Sequence, residues 1–233
     1  SSRKNPFVGF TPKRALGRDV VRVEGLSKTI DGVKVLDNVN FIVNETDKIA
    51  FLGPNDLAKT TLLQILNGDL DPDSGTVTWG ITTSVIDWPN DNAKFFDGET
   101  INAVDWLRQF SEDKDELFIR GFLGKMLFSG EEALKSVKVF SGGERVRCML
   151  SRMMLSGANV LILDGPTNHL DLESISAVND GLIRYKGCVF FTSHDHQFIQ
   201  TIANRIIELG ENGTVVTDKI ITYDEYLDEK YNA

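Results

Sequence analysis

The chain has 233 residues, 41% of them hydrophobic and 25% charged, with a formal net charge of −9. That length buries a sizeable core without a disulfide or metal staple. No apolar run approaches the ~20 residues of a membrane helix, so any membrane span must come from another chain. The acidic balance excludes a domain that clamps nucleic acid by itself, because phosphate binding draws on Lys and Arg, and leaves room only for a local basic patch. No apolar block follows Arg3, Lys4, Lys13 and Arg14, so a signal peptide is not expected and the cytoplasm is.

From Ser1 to about Arg18, proline, glycine and basic side chains without an apolar period predict a linker tail, with the ordered domain beginning near Asp19. Val20–Val23 and Val39–Val43 are predicted strands around a turn at Asp31-Gly32, an antiparallel flank. Lys48–Leu52 is a short apolar strand, followed by a glycine-opened loop and a helix over Thr60–Leu66. From Phe95 to Arg152 the pattern is helical, with Trp106, Leu107, Phe118, Phe122, Leu123, Met149 and Met153 at core-packing spacing. Arg145, Arg147 and Arg152 are expected as solvated helix charges, with contact to a partner or RNA as the alternative, and Cys148 and Cys188 as buried thiols, since neither has metal-ligand spacing. Asn159–Leu163 and Cys188–Thr192 are continuous apolar strands on either side of a helix from Leu172 to Tyr185. Strands alternating with helices imply an α/β fold with a mostly parallel sheet buried on both faces. Tyr223–Tyr231 closes the chain as a short acidic helix.

Three motifs carry chemistry. Gly53-Pro54-Asn55-Asp56-Leu57-Ala58-Lys59-Thr60-Thr61 lies between a strand and a helix, the setting in which backbone N–H groups cradle phosphate. Ala58 stands where the usual pattern has glycine, an added Cβ that can obstruct close approach, and Asp56 adds a negative charge. Leu161-Ile162-Leu163-Asp164 delivers a carboxylate from a buried strand, as a Walker B aspartate holds Mg²⁺. Ser141-Gly142-Gly143-Glu144 opens a helix with two glycines that permit an anion to approach its N-terminus.

In this order the motifs resemble the ATP-binding cassette (ABC) family from Asp19 to about Gly213, a P-loop fold with an inserted helical subdomain, here roughly 95–152. The resemblance implies that ATP is bound through Gly53, Asn55, Lys59, Thr60 and Thr61, with Lys59 on the β- and γ-phosphates. It further implies Mg²⁺ held by Thr60 and Asp164, Ser141 through Glu144 as the signature motif, and His194 as the switch histidine near the γ-phosphate. Pro166-Thr167-Asn168-His169-Leu170-Asp171 and Ser193-His194-Asp195-His196-Gln197-Phe198 look most like the second cassette of the ABC-F branch, whose members carry two cassettes, lack membrane spans and mostly act on ribosomes. Residues 1–18 would then end the linker between cassettes, and 19–233 would form the nucleotide-binding domain. The expected partner is a second cassette, docked head to tail so that each nucleotide lies between one P-loop and the other signature motif. A ribosome or RNA contact is implied by resemblance alone, and direct membrane insertion is not.

Other positions depart from the family. Gly165 follows Asp164 where a catalytic glutamate is usual, which predicts impaired hydrolysis with His194 as the remaining catalytic side chain. Ile30 stands where an aromatic usually stacks on adenine, and Asn90 where a glutamine usually reaches Mg²⁺. These departures fit a degenerate cassette, a divergent branch or a chain altered to trap ATP. The alternatives to a translation factor are the ATP-binding subunit of a transporter, with Trp88, Phe95 and Phe96 near a coupling groove, and a non-catalytic interaction domain.

Overall fold

A computed structural model describes residues 5–97, 100–128 and 130–232, so Arg3 and Lys4 of the predicted tail lie outside it. The chain divides into two compact units: one of residues 5–11, Asp91–Gly157 and Thr167–Tyr185, the other of Pro12–Asn90, Ala158–Pro166 and 186–232.

The second unit holds nine strands. β1 (Asp19–Ile30) and β2 (Val33–Asn44) form a hairpin whose two loop residues, Asp31 and Gly32, both have positive φ, the mirror-image turn that matches strand twist. With β4 (Ser74–Trp79) they make an antiparallel sheet ordered β2-β1-β4. β3 (Lys48–Leu52), β5 (Val85–Trp88), β6 (Val160–Asp164), β7 (Cys188–Thr192), β8 (Arg205–Leu209) and β9 (Val215–Lys219) form the other sheet, ordered β5-β6-β7-β3-β8-β9 and parallel except at β9. β7 and β8 are buried along their whole length. β7 reads as a continuous apolar run because both its faces meet core, whereas β8 is interrupted by Arg205 and Glu208, whose charges are answered within the fold. α1 (Asp56–Leu66) contacts both β2 and β6, and its Ala58, Leu62, Leu63, Ile65 and Leu66 join the core cluster with Val39, Phe51 and Phe190. Two short helices, α7 (His196–Ile202) and α8 (Tyr223–Tyr231), complete the unit, and α8 is fastened through Tyr226 and Lys230 to Glu208 of β8. Arg205, buried, is answered by Asp47 at 2.9 Å and Asp218 at 2.8 Å, which ties the start of β8 to the β2–β3 corner and to β9.

The other unit is helical: α2 (Ala103–Arg108), α3 (Glu116–Lys125), α4 (Gly130–Leu134), α5 (Gly142–Ser156) and α6 (Leu172–Arg184). Trp106 is fully buried, stacked on Phe96, and donates its indole N–H to the Phe95 carbonyl. Phe118 departs from the core pattern expected of it, being exposed on α3 with its ring edge on Phe122. The arginines of α5 are not simply solvated: Arg145 lies 5.5 Å from the Phe96 ring, Arg147 5.0 Å from Phe128 and Arg152 4.6 Å from Phe95. Their stems cover aromatic surface while the charge faces the negative π cloud. Residues 5–11 pack onto this unit without helix or strand. Val8 is buried against Gly181, Phe10 meets Tyr185 edge-on, and the Phe7 N–H donates to Lys125.

Both thiols are buried and free. Burial raises Cys148 and pushes Cys188 up to about 12, and the Cys188 thiol donates to the Asn44 carbonyl. Thiolate is the reactive form. Ellman's reagent is therefore expected to find no thiol in the native chain and both after denaturation; rapid reaction of either native cysteine would contradict the burial.

Candidate nucleotide site

In a parallel sheet the loops that leave the carboxyl ends of the strands gather at one edge, and ligands bind there. β3, β6 and β7 are neighbours in the sheet, and their carboxyl ends release Gly53, Asp164 and Ser193-His194.

Gly53 has φ of +134°, and a Cβ there would stand 2.0 Å from the Leu209 carbonyl oxygen, so only glycine lets the loop pass the end of β8. Asn55 caps α1, accepting from the Ala58 N–H, and its amide donates to the Glu211 carbonyl. Lys59 N–H turns back to the Asn55 carbonyl. The N–H groups of Asp56 and Leu57 have no acceptor among the described contacts, leaving two first-turn donors at the positive end of α1. Ala58 is fully buried within the core cluster, so its Cβ points inward and does not fill the exposed side of the loop. The obstruction expected of this alanine is thereby relieved.

Lys59 is only 5% exposed, and its ammonium meets Asp56 Oδ1 at 3.0 Å. That hydrogen bond holds the Asp56 carboxyl below its ordinary range. His194 Nε2 stands 3.7 Å from the same oxygen. Thr60 donates its hydroxyl to Asp164 Oδ2 at 2.7 Å, and Thr192 donates to Asp164 Oδ1 at 2.7 Å. Thr192 also accepts from the Gly165 N–H at 2.9 Å. Thr192 was not among the residues singled out from sequence; the signal was its place at the end of the apolar run that precedes His194. Thr61 is fully buried and its hydroxyl has no hydrogen-bond partner among the described residues.

Gly165 adopts φ of +60°. A glutamate in that backbone would carry a strain of roughly 1–2 kcal/mol.

Ile30, at the end of β1, is half-buried and packs against the core cluster. Asn90 is exposed two residues beyond β5, whose Trp88 pairs with Leu163, so it emerges at the same sheet edge as Asp164. Neither has a described contact with Lys59, Thr60 or Asp164. Trp88 and Phe96 are buried, each within its own unit.

Ser141 to Glu144 belong to the helical unit. Ser141 caps α5 by accepting from the Glu144 N–H, and Glu144 returns a carboxylate to the Ser141 N–H, a capping box. Burial works against the Glu144 charge, but the Ser141 N–H and Lys135 outweigh it and lower its pKa. Gly142 and Gly143 are exposed, and a Cβ on either would meet nothing within 4 Å.

The donor set fits a magnesium polyphosphate. Two free helix amides and a buried ammonium, already answered by a carboxylate, suit phosphate oxygens. A hydroxyl and a carboxylate in contact supply hard oxygen ligands of the kind Mg²⁺ takes.

A family model described as ABC transporter matches residues 36–168, and the chain belongs to this ATP-binding cassette family. It is 65% identical over 229 residues to the Uncharacterized ABC transporter ATP-binding protein YkpA of Bacillus subtilis (strain 168), covering 98% of this chain and 42% of that protein. It is 32% identical over 222 residues to the Energy-dependent translational throttle protein EttA of Escherichia coli (strain K12), covering 92% of this chain and 40% of that one. The chain thus spans about two fifths of the length of these relatives. Its fold is that of the ATP-binding cassette MJ0796, solved as a dimer in a post-hydrolysis state with ADP and Pi, at a TM-score of 0.73 and 18% identity over 86% of this chain and 98% of that one. Among the described residues no helix is long and apolar enough to cross a membrane.

Proposed function

We propose that this chain is an ATP-Mg²⁺-binding cassette that closes head to tail on a second cassette, as the ATP-driven module of an ABC-F-type, ribosome-associated protein of the cytoplasm. The observation that carries the nucleotide reading is the Thr60–Asp164 contact, which joins the phosphate-loop helix to the end of β6 beside Lys59. Lys59 and the Asp56 and Leu57 amides would hold the β- and γ-phosphates, with Thr60 and Asp164 on the metal and His194 at the γ-phosphate. Bound Mg²⁺ supplies charge neutralisation across those phosphates. Ile30 offers adenine an aliphatic contact, and Asn90 is a further candidate for the metal's shell. With no carboxylate at Gly165, hydrolysis is expected roughly 10²- to 10⁴-fold below that of an intact cassette, and the closed state persists.

The partner reading is supported by the signature glycines. Among the described residues nothing packs where their side chains would be, and glycine costs a helix roughly 0.5–1 kcal/mol against alanine, so glycine at these positions suits contact with something outside the chain. Gly142→Ala should leave thermal stability equal or slightly raised while weakening ATP-dependent association. Sedimentation with ATP-Mg²⁺ tests this. A chain that stays monomeric at high concentration, alone and mixed with a second cassette, would sink the proposal.

EttA relatives favour the translational setting through their name, while the transporter reading is favoured by the descriptions of the family model and of YkpA. Copurification with ribosomes or with a membrane protein separates the two. Failure to bind any nucleotide would favour a degenerate interaction domain.

A further inference from the structure

A buried ammonium is costly unless an anion answers it. For Lys59 the anion is the chain's own Asp56, whose Oδ1 also stands 3.7 Å from His194 Nε2. The Asp56 side chain is 74% exposed, so it reaches Lys59 from the open side of the loop. One carboxylate oxygen thus faces both the Lys59 ammonium and the His194 imidazole, the groups to which a terminal phosphate is assigned above.

We propose that Asp56 is a resident counter-anion that sets nucleotide affinity, so that phosphate enters the loop by displacing its carboxylate from Lys59 and His194. This inference rests on the nucleotide reading of the same loop. The two anions cannot share Lys59 without repulsion, and the geometry decides which moves. Lys59 is enclosed, whereas Asp56 lies at the first position of α1 with its side chain in solvent, free to swing away without disturbing the core. With its carboxylate in solvent the pair is screened and weak, so a polyphosphate with several charges drives the exchange readily. Orthophosphate, with fewer contacts to offer, gains less from it. The carboxylate therefore lowers affinity for every phosphate ligand and selects against the smallest.

The test is calorimetric titration of the chain and its Asp56→Asn variant with ATP-Mg²⁺ and with tripolyphosphate as a phosphate-only probe. Folding of each protein is checked by circular dichroism. Asparagine keeps the size of the side chain and removes its charge. Both ligands should bind the variant roughly two- to fivefold more tightly, the magnitude of an ion pair with a solvent-exposed partner expressed as an equilibrium constant. Asp56→Glu, which keeps the charge, should show no comparable gain. Should the asparagine variant fold poorly, Asp56→Ser removes the same charge with a residue suited to a helix start, and the same tightening is expected. Unchanged or weaker binding by the neutral variants, with the unaltered chain binding normally, overturns the counter-anion and leaves the nucleotide reading standing. Absence of binding by every folded protein overturns both.

Discussion

Lys59→Ala is expected to abolish measurable ATP binding, lowering affinity by roughly 10²-fold or more. The arithmetic starts from charge-assisted hydrogen bonds, each worth about 1.5 kcal/mol or more; two of them to the β- and γ-phosphates give about 3 kcal/mol, or two powers of ten. A second effect has the same sign. Without the ammonium, the Asp56 carboxylate remains at the loop with only His194 nearby, and its charge repels the incoming phosphates. Calorimetry of the variant beside the unaltered chain reads this loss directly. An affinity within a few-fold of the unaltered chain would show that this loop does not hold the phosphates.

The second large effect is on stability. Gly53→Ala places a Cβ 2.0 Å from the Leu209 carbonyl oxygen and forces a side chain into φ of +134°. Such a backbone conformation costs a non-glycine residue on the order of 1–3 kcal/mol by itself, and the overlap requires the loop or the end of β8 to move. A total of about 3 kcal/mol or more is expected, which for a chain of this size lowers the melting temperature by roughly 6–12 °C. Thermal unfolding followed by circular dichroism measures it, and a shift under 2 °C would contradict the close approach. The contrast with Gly142→Ala is informative, because that glycine has open space around it and no positive φ. One glycine answers to the fold, while the fold leaves open space around the other.

Much of the architecture was legible in sequence. The strands β3, β6 and β7 stood out because burial on both faces demands uninterrupted apolar runs. The Asp31-Gly32 hairpin was legible because few residues accept two consecutive positive φ angles. β4, β5, β8, β9 and α7 were not. β4 and β9 are partly exposed edge strands of mixed polarity, and α7 has only seven residues. In the site, the pairing of Asp56 with Lys59 is local, three residues apart on one helix, and the added charge was noticed while its partner was not. Thr192 ends an apolar run, but that position does not mark it as a partner of Asp164. Its contact with Asp164 exists only because β6 and β7 lie side by side.

By itself the sequence determined which segments alternate between strand and helix, where the phosphate loop starts, and which carboxylate and histidine lie beyond strand ends. These follow from spacing over a few residues, where backbone conformation and apolar periodicity act locally. Only the tertiary structure decided that β7 separates β6 from β3, that Thr60 therefore meets Asp164, that the Ala58 methyl turns into the core, and that Asp56 stands between Lys59 and His194. Strand order is set by pairings between residues far apart in the chain, more than a hundred positions for β3 with β7, and such pairings depend on how apolar faces pack together, a property of the folded chain that no short stretch of it carries.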